Sequence, residues 1–356
     1  MKSRNIEYID RIDHLRFFAA FIVLMYHAKI FYSEINIIRM PMLGQGYIGV
    51  SLFMVLSGMI LTMITYGKDI SIKGFYINRA LRIYPLFVFV VTLGYFSTPD
   101  PRNSSVGIDY LLSLLPVSNL YRMTYGPFGG QLWSVMVEIQ FYLLFPVLAL
   151  ALKAKGPRFH CTLILLLITM RAAVFVLNGT VYHMAYFSIF GNLDIFLIGC
   201  LAGIAYKATE GRTFAWYWPV LIIVAMNILL VVLYRFLRLS DASPLWIIWP
   251  DLQGVVWAAL IITYLRAHMR IPLSSALSYL GKISYSIYAW HILVWMLVAR
   301  VMPLPLGTPY LTGLVLVLPL TIALSALSYA VIESPFLMMR ARYVSPSAGA
   351  EEPARG

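Results

Sequence analysis

The sequence predicts an all-α, polytopic membrane protein of about ten transmembrane helices, and three observations carry that prediction. Of its 356 residues, 61% are hydrophobic and only 12% charged, where a soluble domain of this length carries roughly 25% charged residues. Mean hydropathy is +0.80. Apolar runs long enough to cross a bilayer recur from one end of the chain to the other. The short alternating segments of a membrane β-barrel are absent.

Ten spans are expected, near 14–34, 46–66, 80–97, 130–152, 160–178, 185–206, 214–234, 246–265, 284–302 and 310–333. Most of the 27 Lys and Arg residues fall at one set of span ends. Arg39, Arg102, Arg122, Arg235, Arg238 and Arg300 fall at the other, and Lys29 and Arg171 lie within spans. Basic residues concentrate in cytoplasmic loops, so both termini are expected in the cytoplasm. That rule also accounts for the net charge of +12 without a nucleic-acid partner. The polar start MKSRNIEYIDRIDH runs straight into a helix long enough to span, so no cleaved signal peptide is expected.

Between spans three and four, SSVGIDYLLSLLP has the pattern of a short interfacial helix, after which Gly129 and Gly130 lead back into the membrane. Residues 1–336 read as a single integral-membrane domain. Residues 337–356, ending SPSAGAEEPARG, read as a disordered cytoplasmic tail. Cys161 and Cys200 fall inside spans as small apolar filler, and no metal motif is present.

Function is sought in the ionisable residues inside spans, because they are costly there. Span one contains LRFFAAFIVLMYH. Arg16 lies at its cytoplasmic end and His27 is 11 residues on, roughly 16 Å deeper at the helical rise. Glu138 on span four falls roughly 10–12 Å below the outer surface, and Ser57 on span two at a comparable depth. These three are expected to converge. Arg171 and Asp194 fall at matching depths and read as a structural ion pair, and His291 sits on span nine. Glu333 is expected to pair with basic residues at the inner end of span ten. At the cytoplasmic side, KGFYINRALRIYP places Arg79 and Arg82 three apart on one helix face. Two guanidiniums, a helix N-terminus and Arg16 would cradle phosphates.

Six motifs in order along residues 11–336 resemble the acyltransferase-3 family of integral-membrane O-acyltransferases. They are Arg16-x10-His27, GVSLFMVLSGMIL with Leu56-Ser57-Gly58, INRALRIYP, LWSVMVEIQFYLLFP, ISYSIYAWHI and Glu333-Ser334-Pro335. The chain departs mildly from the family pattern at Phe53-Met54, often two phenylalanines, and at Asn78-Arg79, often a basic pair. No segment resembles the soluble domain that some members fuse at the C-terminus.

The resemblance implies transfer of an acyl group, usually acetyl, from cytoplasmic acyl-CoA to a hydroxyl of a carbohydrate. Many family members modify extracytoplasmic glycans. The expected setting is the bacterial cytoplasmic (inner) membrane, with acyl-CoA, a glycan or glycolipid acceptor and membrane lipid as partners. His27 is expected to be the general base, since imidazole titrates near physiological pH. Glu138 would orient it or serve as an alternative base. Arg16, Arg79 and Arg82, with Tyr84 beside them, would hold the CoA phosphates. Ser57, Tyr84, Trp133, Ser134, Tyr288 and His291 are candidates for the oxyanion or substrate contacts. A covalent acyl-His27 or acyl-Ser57 stage is compatible with the same residues. Two other readings stay open: the same chemistry on a secondary metabolite such as a macrolide, and a glycan or lipid transporter without chemistry. Tyr121, Tyr125, Phe128, Trp246 and Trp249 would suit sugar stacking, although Trp and Tyr also populate membrane interfaces.

Overall fold

The computed structural model describes residues 8–32, 41–97, 106–121 and 125–345. Arg39, Arg102, Arg122, the side chain of Tyr121 and the tail beyond Ser345 lie outside the described residues. The long helices are α1 (Asp10–Phe31, interrupted at His27), α2 (Ile48–Thr65), α3 (Ile72–Ser97), α4 (Gly130–Lys155), α5 (Pro157–Asn178), α6 (Ile189–Ala208) and α7 (Tyr217–Phe236). They continue with α8 (Trp249–Arg266), α9 (Ser274–Lys282), α10 (Ser284–Val301) and α11 (Pro309–Met338). Each expected span falls on one of them. Eight are long and apolar enough to cross a membrane alone, and α9 with α10 makes a ninth, bent by 71°. The helix α8 has the length but carries Asp251, Gln253 and Arg266, and it is not apolar enough by itself. The expected interfacial helix forms over Val106–Ser113 and exposes Ile108 and Leu111.

Cross-contacts define two ends of the bundle. At the near end, the start of α1 meets the end of α8: the Arg11 guanidinium donates to the carbonyls of Tyr264, Ala267 and Met269 at 2.7–2.8 Å. It thereby satisfies helix-terminal acceptors that would otherwise lack partners. At the far end, Tyr32 donates to the Met302 carbonyl at 2.7 Å and Trp249 to the Tyr47 hydroxyl at 2.8 Å.

The centre is α2, with 83% of its apolar window buried, while α5 buries 17% of its own. Lipid is as apolar as leucine, so helices associate in a membrane by close packing rather than by hiding from water. Glycine permits that closeness between α2 and α6. A Cβ on Gly58 would stand 2.1 Å from the Phe196 carbonyl oxygen, and one on Gly199 would stand 2.3 Å from that of Val55. Cys200 is buried beside this contact, and Cys161 is exposed.

Arg171 is fully buried and joins Asp194, as expected. It also binds Asp251, a partner the sequence reading missed, and donates to the Ile247 carbonyl at 2.8 Å. One guanidinium thus ties α5, α6 and α8 together near the far end. Glu333 accepts a hydrogen bond from Ser286, and the charge of Arg82 acts on it without an ion pair within 4 Å among the described residues. Residues 337–345 correct the expected tail boundary. Leu337, Tyr343 and Val344 are buried, and Val344 bridges to Ile70 just before α3, so they form an ordered strap.

Candidate active site

Two connected cavities open at the near end. The outer one, about 1100 Å³ with its solvent-open mouth, is walled by Arg16, Arg79, Arg82, Lys282 and Arg340, with Asp13 its one carboxylate among the described residues. The inner one is walled by Ser57, Ser134, Glu138, Tyr285 and Tyr288. Arg16, Ser57, Ile60 and Arg82 line both. The expected arginine cluster is therefore assembled at one mouth. Its helix, α3, starts at the near end and projects Arg79 and Arg82 inward one turn apart. The bend between α9 and α10 leaves Lys282 at the mouth and turns Tyr285 and Tyr288 into the inner chamber.

Glu138 lies where the chambers meet, and Ser57 donates to its Oε1 at 2.7 Å and Tyr142 at 2.5 Å. Tyr142 was missed as a site residue. Its position four residues after Glu138, on the same helix face, was the available signal. The Arg79 guanidinium lies 5.4 Å from the Tyr142 ring centre. Deeper in, Tyr288 and Ser134 share a hydrogen bond at 2.6 Å, and Tyr288 reaches the Gln131 carbonyl at 2.9 Å. Two hydroxyls meet one carbonyl there, so one O–H can turn toward a developing oxyanion.

His27 departs from expectation in two respects. No hydrogen bond joins it to Glu138; its ring partner is His291, with Nδ1 of His27 at 3.1 Å from Nε2 of His291. Nor does it line the inner chamber, whose wall at this depth is Tyr288, with a ring centre 5.6 Å from that of His291. Of the three groups expected to converge, Ser57 and Glu138 meet. His27 stands one layer beyond them, inside the bundle at the break in α1, four residues before the helix ends at Phe31.

The bonds around the histidine pair fix their tautomers. A carbonyl can only accept, so His291 donates from Nδ1 to the Tyr288 carbonyl at 2.6 Å and keeps a lone pair on Nε2. His27 donates from Nδ1 to the Val23 carbonyl at 2.8 Å, with the His291 lone pair alongside. Nε2 of His27 is left as a lone pair without a hydrogen-bond partner among the described residues. His27 is partly exposed, and His291 is 1% exposed. An imidazole held this way can accept a proton at Nε2 while its Nδ1–H stays hydrogen-bonded to the Val23 carbonyl and the His291 lone pair.

Besides the histidine pair, two candidates fall away from the chambers. Tyr84 lines neither and packs on Phe87. Trp133 packs on Tyr186 and Phe187 at 4.9 and 5.0 Å toward the far end. No group of three or more His, Cys, Asp or Glu side chains that could hold a metal occurs among the described residues.

A many-helix membrane bundle with a cationic mouth, a carboxylate–hydroxyl chamber and a deep imidazole pair defines a membrane-embedded group-transfer protein. The chain belongs to the acyltransferase-3 family, whose model, described as an acyltransferase domain, matches residues 9–330. It is 26% identical to the putative peptidoglycan O-acetyltransferase YrhL of Bacillus subtilis, over 94% of this chain and 56% of that protein. It is likewise 26% identical to the peptidoglycan O-acetyltransferase OatA of Listeria monocytogenes, over 92% of this chain and 56% of the relative. A putative O-acetyltransferase of Staphylococcus aureus is 23% identical over 94% of this chain and 58% of its own length. The chain thus spans a little over half the length of these curated relatives. No solved structure matches it.

Proposed function

We propose that this protein is an O-acetyltransferase of the bacterial inner membrane, its near end and both termini in the cytoplasm, moving acetyl from acetyl-CoA to a carbohydrate hydroxyl. The observation that carries the reading is the unbonded Nε2 lone pair of His27, held in one tautomer beyond a cation-lined chamber. The CoA phosphates would sit at Arg16, Arg79 and Arg82. Its pantetheine arm, roughly 15–20 Å extended, would lie in the inner chamber with the thioester against Tyr288.

The acceptor hydroxyl approaches from the far side and gives its proton to Nε2 of His27 as its oxygen bonds to the acyl carbon. Tyr288 or Ser134 turns its O–H to the oxyanion. On collapse the C–S bond breaks, and the imidazolium returns the proton to the departing sulfur. The relatives named as peptidoglycan O-acetyltransferases support a glycan acceptor. Purified protein given acetyl-CoA and a glycan should release free thiol and yield an acetylated sugar. His27→Ala should lower that rate by roughly 10²–10⁴-fold with folding intact. Near-normal turnover would defeat the assignment.

A second reading rests on the Ser57–Glu138 bond inside the chamber. Glu138 takes the Ser57 proton as Oγ bonds to the acyl carbon and gives it to the departing CoA sulfur; it then takes the acceptor hydroxyl's proton as that oxygen bonds to the acyl carbon and returns it to Oγ as the serine ester breaks. Ser57→Ala separates the two, because only this route loses the step that releases CoA before the acceptor binds.

A further inference from the structure

Among the described residues, the outer cavity sets five cations against one carboxylate, and one of those cations arises from a segment outside the family match. Arg340 lies beyond residue 330, where the family model ends, and beyond α11. It follows no span pattern and no motif, yet it lines the same wall as Arg79 and Arg82.

The strap that carries it is fastened along most of its length. Asn78, buried on α3 and adjacent to Arg79, donates from Nδ2 to the Ala341 carbonyl at 2.5 Å and accepts from the Ala341 amide at 3.0 Å. The Ser71 amide donates to the Tyr343 carbonyl at 2.8 Å, and the Ser345 amide to that of Asp69 at 3.1 Å. Two guanidiniums already occupy this side of the cavity, so the latch brings a third against electrostatic repulsion. Burial first, then the charges of Arg82 and Arg79, pull Arg340 down to about 10. The Nε of Arg79 is buried with no hydrogen-bond partner among the described residues. Guanidiniums crowded in this way are stabilised by a multiply charged anion with several acceptor oxygens.

We propose that the strap completes the donor site, with Arg340 binding a phosphate of the CoA nucleotide beside Arg79 and Arg82, and Asn78 positioning it. This rests on the acyl-CoA reading above. The same cations could instead hold the phosphate of an anionic lipid headgroup, and the test separates the two sources. Full-length protein is placed in nanodiscs of neutral phosphatidylcholine, and CoA binding is measured by calorimetry. Arg340→Gln should weaken CoA binding by roughly tenfold, the size of one charge-assisted contact, and Arg340→Lys by less. Asn78→Ala should weaken it several-fold although Arg340 is retained. Turnover should also lose roughly tenfold of its preference for acetyl-CoA over S-acetylpantetheine, which lacks the nucleotide.

Wild-type affinity in Arg340→Gln would overturn the proposal, as would an equal loss with both donors, which marks damage to the fold. An Arg340→Gln effect confined to phosphatidylglycerol nanodiscs would assign the site to lipid and overturn it too. Failure of the wild type to bind CoA would instead remove the donor reading, and the strap's role with it.

Discussion

Replacing His291 with alanine tests the histidine pair most directly. In the resting state His291 accepts one neutral hydrogen bond from His27, shared with Val23. In the transition state His27 carries a positive charge, and the same bond becomes charge-assisted. A neutral hydrogen bond contributes about 1 kcal/mol and a charged one about 1.5–3 kcal/mol, so the differential stabilisation is about 0.5–2 kcal/mol. At about 1.4 kcal/mol per decade, His291→Ala should reduce kcat by roughly 2- to 30-fold. The loss stays modest because the Val23 carbonyl still holds Nδ1–H and preserves the tautomer. His291→Gln, which can offer an acceptor from a similar position, should recover part of it. The assay is thiol release at saturating acetyl-CoA and glycan, with thermal unfolding as the control for the small cavity. The KM for acetyl-CoA should hold, since His291 lines neither chamber. A loss as large as that of His27→Ala, or an effect confined to KM, would refute the reasoning.

Two further expectations concern the scaffold. Arg171→Met strands Asp194 and Asp251 in the interior and should destabilise the protein by about 3–5 kcal/mol, read as a lowered Tm in detergent; an unchanged Tm would mean that the clamp contributes nothing. Asp69 is held below the usual carboxylate range by its hydrogen bond to and the charge of Lys153, whose Nζ lies 2.7 Å away. A carboxyl depressed on folding stabilises above its unfolded value, about 3.9, and that contribution is lost as pH falls through the lower folded one. Proteolysis of the strap should therefore quicken on acidification in the wild type, whereas Asp69→Asn should be loosened already at neutral pH.

The spans were legible because their cause is local: a helix that crosses a bilayer must be long and apolar over its own residues. The same holds for Arg16, Arg79 and Arg82, whose position at helix starts on one side follows from helical rise and charge bias. Depth along a helix, however, does not say which way a side chain points around it. His27 and Glu138 lie at similar computed depths yet face different partners, because the bend before α10 brings Tyr288 and His291 between them. Glu138 found Ser57 and Tyr142 instead, one across a helix contact and one a turn away. The strap was invisible for a related reason. Its hydrogen bonds run to residues more than 250 positions earlier in the chain, and no period or propensity in the segment announces them. Composition and hydrophobic pattern alone determined that this chain is a helical membrane protein with a basic face and a deep imidazole. Only the packing of helices against one another decided which groups touch, since that depends on crossing geometry, and glycine contacts such as Gly58 against Phe196 and Gly199 against Val55 set how closely the helices approach.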